Sequence, residues 1–424
     1  MNIPHRKLTF LITLALFLLV TTTTHSANQS PYQRIDQYAL NTPSYVTGSV
    51  NELTDYLMAS AWNDTEKARV IFRWITSNVV YDVQVLRMGK PITQTPLQVL
   101  EKRKAICQGY SVLFDAMAKR AGLETKIISG YSKGEGFFTG KLDDKSRHAW
   151  NAVKLDGKWK LLDCTWGAGY LGETGSFVQS FEEHFFLTAP EEMIFTHFPY
   201  DPAWQLLSQP INEEQFLSLP RLKPAFFKYD LKINSNRFSH IKTNDELTVT
   251  LKAPKNVAII ASLWQDNREL DRSLTLSQYQ DGLYYISAVF PSRGNYVLRI
   301  FVNQKSSGNF DWAMDYDVEA ASGAGVLASF PKTFLGFQQH NVYLHSPMQG
   351  YLKGNTEYFF MINVPGANRV GVIKGNTFTP LEKPLKNDDD LYSGKVTTGS
   401  DDFQIGVRFD NGYEYIILLA YKII

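Results

Sequence analysis

Apolar positions recur every three to four residues through the first half of the chain and every two residues through the second, and this change of period divides the molecule. "TDYLMASAWNDTEKARVIFRWITSNVVYD" holds two helical stretches, Thr54–Ala61 and Thr65–Asn78. "TPLQVLEKRKA" predicts a further short helix that ends before Ile106. In "QGYSVLFDAMAKRAG" the residues Tyr110, Leu113, Phe114, Met117, Ala118 and Ala121 fall on one stripe, and Gly122 takes the place where a left-handed residue ends a helix. The period then drops to two. "ETKIISGY" reads as a strand and "SKGEGFFTGKLDDKS" as a Gly-rich polar loop. "HAWNAVKLDGKWKLLDCT" is a hairpin turning at Asp156-Gly157. Helices beside an antiparallel sheet make an α+β domain.

After Pro210 the texture is one of short alternating runs and turn signals, with no long helical stripe. This half repeats itself weakly. Pro254, "DGLYY" and "YVLRIFVN" are followed by "YDV"; Pro365, "DDLYS" and "FQIGVRFDN" are followed by "YKI". Leu283 and Leu391 each precede an asparagine, Asn303 or Asn411, by 20 residues. The expected organisation is an α+β domain over 28–212, then two all-β sandwich modules over 223–322 and 323–424.

The 424 residues exceed what one core holds, which agrees with several domains. A net charge of +1, from 43 Lys+Arg against 42 Asp+Glu, leaves no basic excess for neutralising nucleic-acid phosphates. "HRK", then the apolar run Leu8–Val20 and the polar "TTTTHSA", has the layout of a signal peptide over 1–27. The run is shorter than the ~20 residues that cross a bilayer. A secreted, periplasmic or extracellular location is therefore expected, with no membrane attachment after cleavage.

Export sharpens the reading of the two cysteines, Cys107 and Cys164, for which a disulfide is the ordinary expectation. The hairpin register bears on it. A two-residue turn at Asp156-Gly157 pairs Leu155 with Lys158 and, continued outward, sets Trp150 opposite Asp163 and His148 opposite Thr165. His148 and Asp163 then share a face as diagonal neighbours, within ~7–8 Å of each other. Cys164 falls on the other face, which weighs against the bridge. Cys107 opens the helix that ends at Ala121, so unpaired N–H groups and the positive end of the helix dipole surround its sulfur. A thiol so placed, with His148 as base and Asp163 to orient it, makes the parts of a nucleophilic triad. The Cys107 N–H could serve an oxyanion, and Trp74 is the upstream side-chain candidate, against a plainer role in its helix core. His184 and His197 match no metal-ligand spacing and read as structural. "KNDDD" near Asp388 reads as a solvated loop, and the tryptophans and tyrosines of the C-terminal strands as core.

"KAICQGYSVLFDAMAKRAGLETKIISGYSKG" and "RHAWNAVKLDGKWKLLDCTWGAG" together resemble the transglutaminase-like superfamily, which shares a papain-like fold. "HFFLTAPEEMIFTHFPYDPAWQLL" and the repeated β-modules look like its kyphoscoliosis peptidase and hillarin branch. The resemblance implies a Cys107, His148 and Asp163 triad in a papain-like transglutaminase core followed by Ig-like modules. Two positions depart from the family pattern: Ala105, often Gly, and Arg147, often Asn or Asp. The implied activity is attack on amide bonds of protein or peptide substrates through a thioester, with hydrolysis favoured over transfer to amines. The competing expectation is a scaffold that uses the groove and the β-modules to bind a protein, cell-surface or cell-wall partner. No cofactor and no metal ion is called for.

Overall fold

A computed structural model of the chain describes residues 30–88, 93–134, 141–172, 174–305, 308–383, 390–410, 412 and 414–424. The signal peptide expected over 1–27 lies outside them, as do most of "KNDDD", Asn411 and the middle of the loop after Lys133. Among the described residues no helix is long and apolar enough to cross a membrane.

The chain folds as an α+β domain followed by β-sheets, and its buried apolar residues gather into three clusters. The first runs from Ile35 to Met193, the second from Leu222 to Ala320, and the third is built from Phe330 to Tyr421 with Leu276 joining it from the second region. In the first, helix α1 (Gln33–Leu40) packs on helix α2 (Asp64–Asn78), which lies against helix α3 (Cys107–Arg120) and a four-stranded sheet. The Asn63 side chain caps α2 by accepting from the Glu66 N–H. The apolar stripe read from α3 is the face it buries: Tyr110, Leu113, Phe114, Met117 and Ala118 are all inaccessible. Gly122, at φ +81°, ends it as expected.

The sheet comprises β1 (Thr125–Ser132), β2 (Arg147–Leu155), β3 (Lys158–Leu162) and β4 (His197–Pro199), in the order β3-β2-β1-β4 and antiparallel throughout. The β2–β3 hairpin has the register read from its turn, Leu155 opposite Lys158 through Asn151 opposite Leu162. There the strand stops. Asp163 leaves the sheet to cap a short helix, α4 (Cys164–Ala168), by accepting from the Thr165 and Trp166 N–H groups. The expected pairing of Thr165 with His148 is therefore not made. A capping aspartate followed by small residues favours a helical turn over a further strand pair.

Arg69 fastens this domain. Wholly buried on α2, it pairs with Asp36 of α1 at 2.7 Å and with Glu183 at 2.6 Å. The segment just before Tyr45 is thus part of the core, since α1 buries Ile35 and Ala39 there.

The β-rich half contains two sandwiches of the same plan. In the first, β5 (Glu246–Lys252) and β8 (Leu283–Val289) pair within one sheet beside β7 (Thr275–Gln280). In the other sheet β6 (Val257–Gln265), β9 (Gly294–Gln304) and β10 (Asp311–Ala320) lie side by side. In the second, β11 (Glu357–Asn363) pairs with β13 (Leu391–Thr397), while β12 (Arg369–Lys374), β14 (Phe403–Arg408) and β15 (Ile416–Ile423) form the facing sheet. Pro254 and Pro365 both sit in the turn that crosses between sheets, and Leu283 and Leu391 both open the matching strand.

The three regions are joined by specific contacts. Lys133, one residue past β1, donates from Nζ to the carbonyls of Phe216 and Leu219 at 2.6 Å each. His184 stacks on Phe227 with rings 5.0 Å apart. The Leu344 N–H donates to Gln278 Oε1 across the two sandwiches.

Candidate active site

Cys107 is the first residue of α3, and no side chain caps this helix at Ile106. The N–H groups of Gly109 and Tyr110 turn back to the Ile106 carbonyl, which leaves those of Cys107 and Gln108 at the open end of the helix. The strand leading into it is clamped from both sides. Val80–Tyr81 pairs in parallel with Lys104–Ala105, and Gln94 accepts from the Ile106 N–H through Oε1 and donates to the Lys104 carbonyl through Nε2. Gly109 is required by this clamp. A Cβ there would lie 2.5 Å from Gln94 Oε1 and 2.7 Å from the Ala105 methyl. The Ala105 side chain, where the family pattern often has Gly, packs on Gly109. Arg147 points outward to Asp144.

His148 reaches the site from the start of β2, opposite Gly130 of β1. Its Nε2 lies 2.6 Å from Asp163 Oδ2, and it hydrogen-bonds the Cys107 sulfur, to which the Ala149 N–H also donates. With Nε2 engaged by Asp163, the nitrogen facing sulfur is Nδ1. The structure thus brings together Cys107, His148 and Asp163, and the His148–Asp163 contact forms although the strand geometry used to expect it does not. Leaving the sheet one residue early turns the Asp163 carboxylate toward β2 all the same.

The electrostatics follow from this packing. Burial disfavours the charged forms of all three groups, and their mutual pairing overcomes it. Beyond the burial cost, the His148 hydrogen bond and charge and the Ala149 N–H bring the Cys107 thiol below its ordinary value. Asp163, chiefly, holds His148 protonated up to about 10 despite its burial. The His148 charge and hydrogen bond, with the hydrogen bond from His197, keep Asp163 ionised well below the usual carboxylate range. The Cys107 and His148 shifts both favour a thiolate beside an imidazolium. Cys107 is partly exposed, whereas Cys164 is buried, unpaired and pushed up by burial; both thiols are free.

Trp74 cannot serve an oxyanion. It is wholly buried in its helix core with the Arg103 guanidinium 4.5 Å above its ring, so no substrate atom reaches Nε1. The donors available at the thiol are the N–H groups of Cys107 and Gln108.

His197, read from the sequence as structural, belongs to the site. Its Nε2 lies 3.0 Å from the same Asp163 Oδ2 that binds His148. Nothing in the spacing of His197 from the other residues marks it. Its place depends on β4 pairing with β1, with His197 opposite Ser132. His148, Asp163 and His197 offer ligand atoms within 4.8 Å of one another, as a metal site would. The contacts of 2.6 and 3.0 Å are N–H···O hydrogen bonds, and a cation there would have to displace both protons. His184, the other histidine weighed, stands apart at the interface with Phe227.

Fold and thiol site together define a transglutaminase-like α+β domain joined to immunoglobulin-like β-modules. Residues 51–164 match the transglutaminase-like superfamily, and residues 213–357 match the KY-like, immunoglobulin-like domain, which runs across the boundary placed at 322 from the sequence. The chain is 33% identical over 264 residues to kyphoscoliosis peptidase of Mus musculus, covering 62% of this chain and 39% of that protein. It is 30% identical over 243 residues to hillarin of Drosophila melanogaster, covering 53% and 29%. The chain thus spans about two-fifths or less of the length of these relatives. A solved TGase structure aligns over 34% of this chain and 35% of its own at 18% identity, with a TM-score of 0.21, too slight a likeness to argue from.

Proposed function

We propose that this protein is an exported cysteine enzyme acting on amide bonds of proteins or peptides. The observation that carries the reading is the hydrogen-bonded chain from the Cys107 sulfur through His148 to Asp163 at the open end of a helix. The Cys107 thiolate attacks the amide carbonyl carbon, and the resulting oxyanion is met by the N–H groups of Cys107 and Gln108. His148, already an imidazolium, gives its Nδ1 proton to the departing amine as the C–N bond breaks, leaving a thioester. Neutral His148 then takes a proton from water, whose oxygen attacks the thioester; the acid leaves and the ion pair is restored. Hydrolysis is the favoured outcome, because transfer to an amine requires a site that keeps water out. The apolar run Leu8–Val20 supports export.

The test is the pH dependence of Cys107 alkylation by iodoacetamide in a Cys164→Ala background, with and without His148→Ala. A thiolate that titrates far below ~8.5 and loses that advantage in His148→Ala is expected. Slow, unshifted alkylation in both proteins would refute the enzyme reading in favour of a binding or scaffold role for the groove. Turnover, measured as new amino termini or ammonia released from a glutamine-bearing protein, should vanish in Cys107→Ala with the fold retained.

A further inference from the structure

Asp163 has one partner more than the proton relay needs. Its Oδ1 accepts from the Thr165 and Trp166 N–H groups at 2.7 and 3.1 Å, and its Oδ2 accepts from both His148 and His197. We propose that His197 is a positioning residue, a neutral imidazole that pins Asp163 Oδ2 against His148 and so holds the thiolate–imidazolium pair together. The proposal rests on the cysteine-enzyme reading above.

The hydrogen bonds fix the tautomer. Asp163 is an ionised acceptor, so His197 must donate to it from Nε2. The Thr196 hydroxyl has two acceptors in reach, His197 Nδ1 at 2.8 Å and the Met193 carbonyl at 3.2 Å, and a neutral ring takes its proton at the shorter contact. Each atom of the imidazole able to hydrogen-bond is thereby assigned one role, and the ring carries no charge. Burial reinforces this by bringing His197 down to about 4. The titratable groups facing it are Asp163, its direct partner, with His148 beside it and His184 farther off.

Packing holds the ring where that bond is possible. Trp150 meets His197 edge-on at 5.0 Å and Trp166 lies tilted at 4.6 Å. Gly130 of β1, opposite both His148 and Pro199, puts no side chain between the two imidazoles, whose centroids are 5.3 Å apart. A Cβ there would come within 2.8 Å of Trp150. The two bonds to Oδ1 fix one end of the carboxylate, and with Oδ2 held by His148 alone the other end could swing off the imidazole. His197 closes that swing from the far side.

Loss of the bond should narrow the pH window in which the pair exists. A carboxylate free to turn stabilises the imidazolium less, so His148 deprotonates at lower pH and the Cys107 thiol ionises at higher pH. In the iodoacetamide assay the rate climbs a lower limb as Cys107 ionises and a second, upper limb as His148 loses its proton. His197→Leu should move the lower limb up and the upper limb down by about one pH unit each, roughly what one hydrogen bond to a charged group is worth. His197→Gln, which keeps an N–H near the same place, should hold both limbs. Thr196→Val, which removes the hydroxyl shared by Nδ1 and the Met193 carbonyl, should move them in the same direction by less, and it decides the matter if the leucine variant does not fold. Unmoved limbs in His197→Leu, a wider window, or a glutamine variant as shifted as the leucine one would overturn the proposal. A parent protein without a His148-dependent thiolate would instead sink the enzyme reading, and this proposal with it.

Discussion

Arg69→Met should loosen the first domain by an amount the contacts themselves set. The guanidinium is inaccessible and makes bidentate bonds to Asp36, at 2.7 Å twice, and to Glu183, at 2.6 and 2.7 Å. The side chain of Asp36 is 15% exposed and that of Glu183 is 52% exposed. Removing the cation therefore leaves the largely covered Asp36 carboxylate to Arg73 alone, whose Nε lies 3.9 Å away, while Glu183 turns to water at small cost. Breaking a buried pair costs ~3–5 kcal/mol, and the Glu183 share, discounted for solvent, adds under ~1 kcal/mol. A loss of about 4 kcal/mol lowers the transition of a domain this size by roughly 8–16 °C. Six of the eight tryptophans precede residue 213, so near-ultraviolet circular dichroism during heating reports chiefly on this domain. Glu183 opens the turn whose Phe185 carbonyl accepts from the Asp163 N–H at 2.9 Å, so Cys107 alkylation should slow as well. Adding Asp36→Leu should recover more than half of the lost stability, because a well-packed apolar pair removes the stranded charge. A shift under about 2 °C, or a double variant no better than the single one, would refute this account.

Two further expectations concern pH and packing. His184, held neutral down to about 4 by burial against Phe227, contributes stability that is present above its unfolded value near 6.5 and is lost as pH falls toward 4. Between pH 7 and pH 5 the wild type should lose about 2 kcal/mol more than His184→Phe, read from urea midpoints; parallel pH profiles would count against it. Gly130→Ala should cost about 2–3 kcal/mol, since its methyl would meet the Phe198 carbonyl oxygen at 2.2 Å and Pro199 Cα at 2.7 Å, both backbone. Because β4 must move to admit it, the alkylation window should narrow too; an alanine variant with wild-type midpoint and window would contradict the packing.

What the sequence made legible was whatever depends on near neighbours. The stripe on α3, the end of the helix at Gly122 and the β2–β3 register through Asn151 opposite Leu162 all follow from period and turn chemistry. His148 and Asp163 were paired from that register, and they meet even though Asp163 has left the sheet to cap α4. The cap was readable in principle, as an aspartate before Cys164-Thr165, but the hairpin period ran into it without a visible break. His197 lay beyond reach, because its place in the site depends on β4 joining β1 across more than sixty residues of chain. Trp74 shows the converse: an aromatic residue upstream of a thiol suggests an oxyanion donor until burial shows that its indole faces only protein.

Lys133 ties the two halves of the molecule at a revealing place. The strand that carries Gly130 between the two imidazoles ends at Ser132, and the next residue grips the carbonyls of Phe216 and Leu219 in the segment leading to the sandwiches. The chain distance from Gly130 to that grip is three residues, about 10 Å of extended backbone. A pull along the chain from the C-terminal half meets those two carbonyls on its way into the first domain, beside the His184–Phe227 stack. The thiol site thus lies within one strand-length of a joint between the two halves of the protein.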